Sequence, residues 1–292
     1  MSKALKTYIS LYRPRDHILF TIPLVVIGIS TAARIESVKP GLFPLFILLC
    51  ANVLAMSFAF AINEVEDAED DKKEKARSNP ISRGHLTRVQ AIFLTTLAFL
   101  GSLALFFSTN TYALIAGANM LILAFFYSYK PIRLKSMPIL DLISHSLMLA
   151  GLIFLSSYLA ISNNFKSALP IFLGTTLISV YGQFFNQIRD YKEDKKAKIK
   201  NTTKLVGIAV AKKLMYASAI LGVLLLAYAF YAQILPLTPL LLTVIIIPIA
   251  YLAKKLTPKR DLRADVATSD MHMPILVLFN TFATLFFLSL YF

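Results

Sequence analysis

Two short stretches carry most of the 16 acidic residues of this 292-residue chain. NEVEDAEDD, residues 63–71, sets Asn63, Asp67 and Asp71 four apart, and NQIRDYKED, residues 186–194, repeats the interval with Asn186, Asp190 and Asp194. Side chains four apart stack on one helix face, so each triplet makes a stripe of one amide and two carboxylates. Like charges at that spacing repel by roughly a few tenths of a kcal/mol, and at a helix C-terminus the macrodipole disfavours each anion by roughly 0.3–1 kcal/mol. An arrangement that is locally unfavourable and present twice implies a compensating cation. With no His or Cys in either stripe, the donors are oxygen only and suit Mg²⁺, which binds one or two carboxylates and takes water or phosphate oxygens for the rest. On these grounds neutralising one carboxylate relieves repulsion and leaves the ligand-free protein as stable or slightly more so. The plainer alternative is a pair of solvated loops balanced by Lys72, Lys73, Lys195 and Lys196.

A third polar island, Tyr127-Ser128-Tyr129-Lys130-Pro131-Ile132-Arg133-Leu134-Lys135, closes an apolar run. It reads either as an interfacial aromatic belt with basic anchors or as diphosphate-binding cations, since Pro131 ends the helix and can turn the chain back over the bundle mouth. Phe125, Phe126, Tyr181, Phe184 and Phe185 lie beside these motifs; they are packing residues, or faces able to stabilise a carbocation. Asp141 and His145 stand four apart inside another apolar run, where ionisable groups are costly and often functional. They orient a substrate or satisfy each other. His17, His85 and His272 show no ligand spacing.

The elements that must hold these groups are membrane helices. Hydrophobic residues make up 57% of the chain and charged residues 16%, with a mean hydropathy of +0.66. Apolar runs of about 20 residues, long enough to cross a hydrocarbon core, recur at roughly Ile18 to Ala33, Leu42 to Ile62, Val89 to Phe107, Tyr112 to Tyr129, Met137 to Ile161, Ala168 to Phe185, Leu214 to Ala232, Leu235 to Ala253 and Met271 to Phe292. Without two-residue alternation such runs are helices. The fold class is therefore all-α, a polytopic membrane protein of about nine transmembrane helices in a single domain, 1–292, with two Asp-bearing halves, roughly 11–136 and 137–292. This composition excludes a soluble enzyme and a disordered chain. The single cysteine, Cys50, excludes disulfide and CxxC chemistry within the chain.

Of the 30 Lys and Arg residues only Arg34, Lys39 and Lys166 fall outside the N-terminal segment and the loops after even-numbered spans. The positive-inside rule then puts the N-terminus and both acidic stripes on the cytoplasmic side of the cell membrane and the C-terminus outside. The net charge of +14 is accounted for by topology and by anionic membrane lipids, and a nucleic-acid partner is not expected.

At these motifs the sequence resembles the UbiA-type superfamily of intramembrane prenyltransferases. The likeness rests on Asn63xxxAsp67xxxAsp71, Arg77 and Asn79-Pro80-Ile81-Ser82-Arg83-Gly84, the Tyr127–Lys135 segment, Asp190xxxAsp194, and Leu11-Tyr12-Arg13-Pro14 ahead of the first span. It implies a helical bundle around a central cavity where Mg²⁺, held by Asp67, Asp71, Asp190 and Asp194 with Asn63 and Asn186 in support, binds a polyprenyl diphosphate. Arg77, Lys130, Arg133 and Lys135 would bind the diphosphate. Tyr127, Asp141 and His145 join the substrate-binding set. The acceptor, whether an aromatic quinone precursor, a lipid of the glycerol-phosphate type, a sugar phosphate or a carotenoid, is left open by the shared donor site and by departures at Glu64, at Asn79 and at Lys195–Lys200, which lacks the usual glycine. An ion-coupled transporter is the rival reading. It calls for helices interrupted near the carboxylates, whereas Pro44 and Pro170 lie far from them. A phospholipid-headgroup transferase would need an Asp-Gly-x-x-Ala-Arg stretch, and none occurs.

Overall fold

Long apolar segments satisfy their backbone in lipid only as helices or closed barrels, and every regular element among the described residues is helical. The computed structural model describes residues 3–72, 79–192, 199–256 and 272–292. A short helix α1 (Lys3–Tyr12) precedes α2 (Pro14–Ile35), α3 (Leu42–Asp71), α4 (Arg88–Phe107) and α5 (Thr111–Ser128). The fifth span is one helical path, α6 (Leu140–Ser146) and α7 (Leu152–Tyr158), joined by a π turn at Leu147–Gly151. Then follow α8 (Phe165–Arg189), the short α9 (Thr202–Val206) and α10 (Ile208–Tyr231). The chain finishes with α11 (Leu237–Val244), α12 (Ile247–Leu256) and α13 (Met273–Leu288).

Seven of these paths are long and apolar enough to cross a membrane, and they coincide with the first seven expected spans. The protein is an integral membrane protein. The expected eighth span is broken in two at Ile245 and Ile246. Pro248 is the cause: its ring excludes the carbonyl of residue 244, four back, and α11 ends at Val244. The ninth, α13, has 16 residues, about 24 Å of rise.

Local signals place the helix starts. Thr87 and Gln90 form a reciprocal capping box on α4, with Gln90 N donating to Thr87 Oγ1 at 3.2 Å and Thr87 N to Gln90 Oε1 at 3.0 Å. Asn110, Asn164 and Asn201 cap α5, α8 and α9, each side-chain oxygen satisfying one otherwise unpaired N–H.

Helices in lipid gain little from apolar burial against one another, so close approach and polar bridges hold them. A Cβ on Gly28 would lie 2.6 Å from the Phe154 carbonyl, which is why α2 and α7 pack backbone to backbone. In the buried middle, Ser156 Oγ donates to Asn52 Oδ1 at 3.1 Å, tying α7 to α3, and Ser102 Oγ donates to the Ala51 carbonyl at 2.9 Å, tying α4 to α3. The outer faces are apolar: α4 exposes Val89, Phe93, Leu97 and Leu100, and α10 exposes Leu214, Leu221, Leu224 and Tyr228. Apolar area on that scale marks a surface that meets lipid.

Candidate active site

The N-terminal end of α2 and the C-terminal ends of α3, α5 and α8 meet at one end of the bundle, around a cavity of about 230 Å³. The first stripe lies there as its spacing requires, since α3 continues to Asp71 and carries Asn63, Asp67 and Asp71 on one face. Asp67 and Asp71 are buried, at 4% and 5% exposure. Isolated carboxylates would not tolerate this, and the loop after α5 supplies the counter-charge.

That loop is shaped by Pro131. Helix α5 stops at Ser128, the Ile132 and Arg133 amides turn back onto the Tyr129 carbonyl, and Arg133 adopts a left-handed backbone at φ 49°. Its guanidinium thereby reaches α3, with Nη2 3.0 Å from Asp67 Oδ1 and 3.2 Å from Asp70 Oδ2. Lys135 Nζ lies 2.5 Å from Asp67 Oδ2. Asn63 completes the knot when its amide is assigned from its neighbours, the oxygen to Lys135 Nζ and the nitrogen to Asp67 Oδ2, both at 3.1 Å. Lys130 stands at the rim, its Nζ 3.6 Å from Asp70 Oδ2 and its backbone N donating to Glu66 Oε2 at 3.1 Å. Two of the cations expected to serve a diphosphate, Arg133 and Lys135, therefore already neutralise Asp67 of the first stripe. Arg133 Nε is buried without a partner, a donor left over for an anion in the cavity.

Asn79 anchors the chain returning towards α4. Its Nδ2 donates to Asp71 Oδ2 at 2.9 Å and to the Glu64 carbonyl at 2.8 Å, while its Oδ1 accepts from Ile81 N at 2.9 Å. This gives the departure at Asn79 a structural role. Arg77 lies outside the described residues.

The second stripe departs from the expected helical face. Helix α8 ends at Arg189, and Asp190 is its C-cap, held by Arg189 through two contacts of 2.8 Å. Asp194 lies outside the described residues. Asn186 and Asp190 nevertheless line the same cavity as Asn63, Asp67 and Asp71. Asn186 Oδ1 is buried with no partner, an oxygen suited to a cation. Among the described residues no three His, Cys, Asp or Glu groups converge closely enough to hold a metal on their own. The set fits Mg²⁺ as an ion that draws its remaining oxygens from phosphate and water.

Asp141 and His145 separate. Asp141 is fully buried but is not on the cavity wall: Oδ2 accepts from Gln187 Nε2 at 2.6 Å and Thr202 N at 2.7 Å, and Oδ1 from Leu142 N at 2.9 Å and the Thr202 hydroxyl. It clamps α6, α8 and α9 together, away from the cavity wall where its substrate-binding expectation would put it, and it does not pair with His145. His145, one turn further into the membrane, lines the cavity beside Tyr127, with ring centroids 5.9 Å apart. The aromatics of the cavity are Phe60 and Tyr127. Phe125 stacks on Tyr129 at 4.7 Å, and Phe184 packs into a cluster with Ala211 and Met215.

Several cavity residues were missed from sequence. Arg13 is one: with a left-handed backbone, it lies over the Phe60 ring at 5.0 Å and pairs with Asp16 at 2.8 Å and Glu64 at 3.3 Å. Asp70 is another, hidden among six neighbouring acids. Gln183 donates to the Tyr127 hydroxyl at 3.1 Å; its signal was an amide one turn before Asn186 in an apolar run.

Replacing Asp141 with Asn is expected to lower the thermal unfolding temperature in detergent. An amide NH₂ would face two of the donors that now converge on the carboxylate, and each buried donor left unpaired costs about 1–3 kcal/mol. An unchanged melting curve would show that the clamp is not structural.

The UbiA prenyltransferase family model matches residues 21–290. A lycopene elongase/hydratase from Haloferax volcanii is 29% identical over 198 residues, covering 68% of this chain and 64% of that protein. One from Haloarcula japonica is 29% identical over 204 residues, covering 68% and 66%. The chain thus spans just under two thirds of the length of these curated relatives. Among solved structures, a UbiA homologue from Archaeoglobus fulgidus bound to GPP and Mg²⁺ has a TM-score of 0.73 at 21% identity, covering 98% of this chain and 100% of that one. With the family match running from the first membrane helix to the last, the chain belongs to the UbiA prenyltransferase family.

Proposed function

We propose that the protein is a Mg²⁺-dependent intramembrane prenyltransferase, moving an isoprenyl chain from a polyprenyl diphosphate to an acceptor and releasing diphosphate. One observation carries this reading: two oxygen-donor sets from different helices, Asn63, Asp67 and Asp71 with Asn186 and Asp190, share a cavity with Arg133 and Lys135. When bound, Mg²⁺ neutralises charge on the diphosphate oxygens as the allylic C–O bond opens. Arg133 and Lys135 hold the leaving group from the loop side, and the unpartnered Nε of Arg133 is one donor for it. Phe60, Met148 and Leu149 give the membrane end of the cavity an apolar wall, suited to an isoprenoid chain and to excluding water from an allylic cation. A hydrocarbon tail partitions into such surroundings by about 0.8 kcal/mol per CH₂.

The cavity faces the cytoplasm in this reading, in keeping with the basic loops that surround it. For the acceptor, the two relatives bearing the name lycopene elongase/hydratase support keeping a carotenoid-type polyene among the classes that the resemblance left open. The ion-coupled transporter is disfavoured because α3 and α8 run unbroken to their acidic ends, so no half-helix termini form there to bind a coupling ion.

The test uses purified protein in detergent with a labelled allylic diphosphate, Mg²⁺ and a panel of aromatic, glycerol-phosphate and polyene acceptors. Mass spectrometry is expected to find one prenylated product, formed together with diphosphate and lost in chelator. Absence of any product across the panel, or turnover undiminished after complete Mg²⁺ removal, would overturn the proposal.

A further inference from the structure

Every version of the proposed transfer releases a proton, whatever the acceptor. The donor C–O bond breaks with its electron pair leaving on the diphosphate, and an electron pair of the acceptor forms the new bond to the allylic carbon. The acceptor then sheds a proton and keeps the bonding pair. Something in or on the cavity must take that proton.

Most groups on the cavity wall are unsuited. Asp67 and Asp70 are ion-paired to Arg133, Asp67 also to Lys135, and Asp190 to Arg189. Asp71 accepts from Asn79, and all four carboxylates lie at the mouth. Deeper in, Tyr127 and Gln183 hydrogen-bond each other, and neither is a base near neutral pH. His145 is different. It is the sole imidazole on the cavity wall among the described residues, its Nδ1 is buried without a hydrogen-bond partner, and we therefore assign Nε2 as the nitrogen that meets the cavity.

Its depth is also apt. Asn63 and Asn186 mark the polar side of the cavity, and Met148 and Leu149, on the turn after His145, begin the apolar side. The reacting carbon of a prenyl diphosphate is bonded directly to a phosphate oxygen, so it sits at that boundary. The π turn Leu147–Gly151 starts two residues after His145, and such widened turns gather at functional sites.

We propose that His145 Nε2 is the proton acceptor of the transfer step, a role resting on the prenyltransferase reading above. The experiment compares wild type and His145→Gln with geranyl diphosphate, Mg²⁺ and whichever acceptor of the panel the wild type prenylates. Diphosphate and prenylated product are measured in the same samples. Positioned bases contribute typically about 10²–10⁴-fold, so coupled product is expected to fall at least about 100-fold. Diphosphate release falls less, the difference appearing as prenyl alcohol from water capture. His145→Ala supplied with free imidazole serves as the second variant and is expected to recover product, a rescue that a purely structural side chain would not show. Product formation by His145→Gln at the wild-type rate, or an equal fall in product and diphosphate with no imidazole rescue, would overturn the assignment. A wild type that prenylates nothing would instead sink the prenyltransferase reading itself.

Discussion

Asp67→Asn and Asp190→Asn are each expected to reduce turnover by at least about 10³-fold, the scale of removing a principal electrostatic stabiliser of the transition state. The double variant should be little worse than either single one, because residues that act on one ligand as a unit are grossly non-additive. The two carboxylates come from helices far apart in sequence and share one cavity, which is the geometry that non-additivity reports. Ligand binding gives a second readout, since a ligand that binds only the folded state raises its stability. The thermal shift produced by Mg²⁺ with geranyl diphosphate should therefore vanish in both single variants. Retention of the full shift by either would separate that carboxylate from the ligand. The ligand-free proteins should differ. From spacing alone, loss of a carboxylate was expected to relieve repulsion, but Asp67 is held by Arg133 at 3.0 Å and Lys135 at 2.5 Å. Breaking a fully buried pair costs about 3–5 kcal/mol; with side-chain exposures of 22% and 11% at the two cations, solvent screening brings this to about 1–3 kcal/mol. Ligand-free Asp67→Asn should thus melt below wild type.

Arg133→Gln and Lys135→Gln should each lower kcat/KM for the prenyl diphosphate by about 10²–10³-fold, the usual effect of deleting one donor aimed at developing negative charge. Arg133→Lys should recover little. Nη2 meets both Asp67 and Asp70 while Nε stays unpartnered on the same planar group, and a lysine ammonium that took over the Nη2 contacts would leave no second, fixed donor in the place of Nε. Lys130→Gln is the contrast. Its side chain is 38% exposed and 3.6 Å from Asp70, so it acts from the rim, where charge is screened, and its loss should cost less than about tenfold. Initial rates of diphosphate release across donor concentrations at saturating Mg²⁺ measure all four. If Lys130→Gln is as damaging as Arg133→Gln, the loop does not present its cations in the order seen here.

The membrane fold was legible because its physics is local. A run of about 20 apolar residues has nowhere stable to go but across a bilayer as a helix, so the seven long spans matched their runs. The eighth misled because hydropathy is blind to backbone chemistry, whereas Pro248 breaks the helix in the middle of an apolar run. Asn63, Asp67 and Asp71 were legible for the same reason, since four-residue spacing inside one continuous helix determines a face.

What lay between helices was not. Spacing placed Asp190 on a face that α8 does not continue far enough to make, and it left Asp141 to orient a substrate or to satisfy His145, where the fold gives Asp141 to Gln187 and Thr202 instead. Arg13 entered the cavity through a left-handed turn before α2. By itself the sequence determined the helices, the apolar surfaces they present to lipid, and which side chains are costly enough to demand a partner. Only the tertiary structure decided which partner each one has, because buried charges must be neutralised across space by whichever cation or donor the packing brings within about 3 Å, and that distance is set by how helices cross.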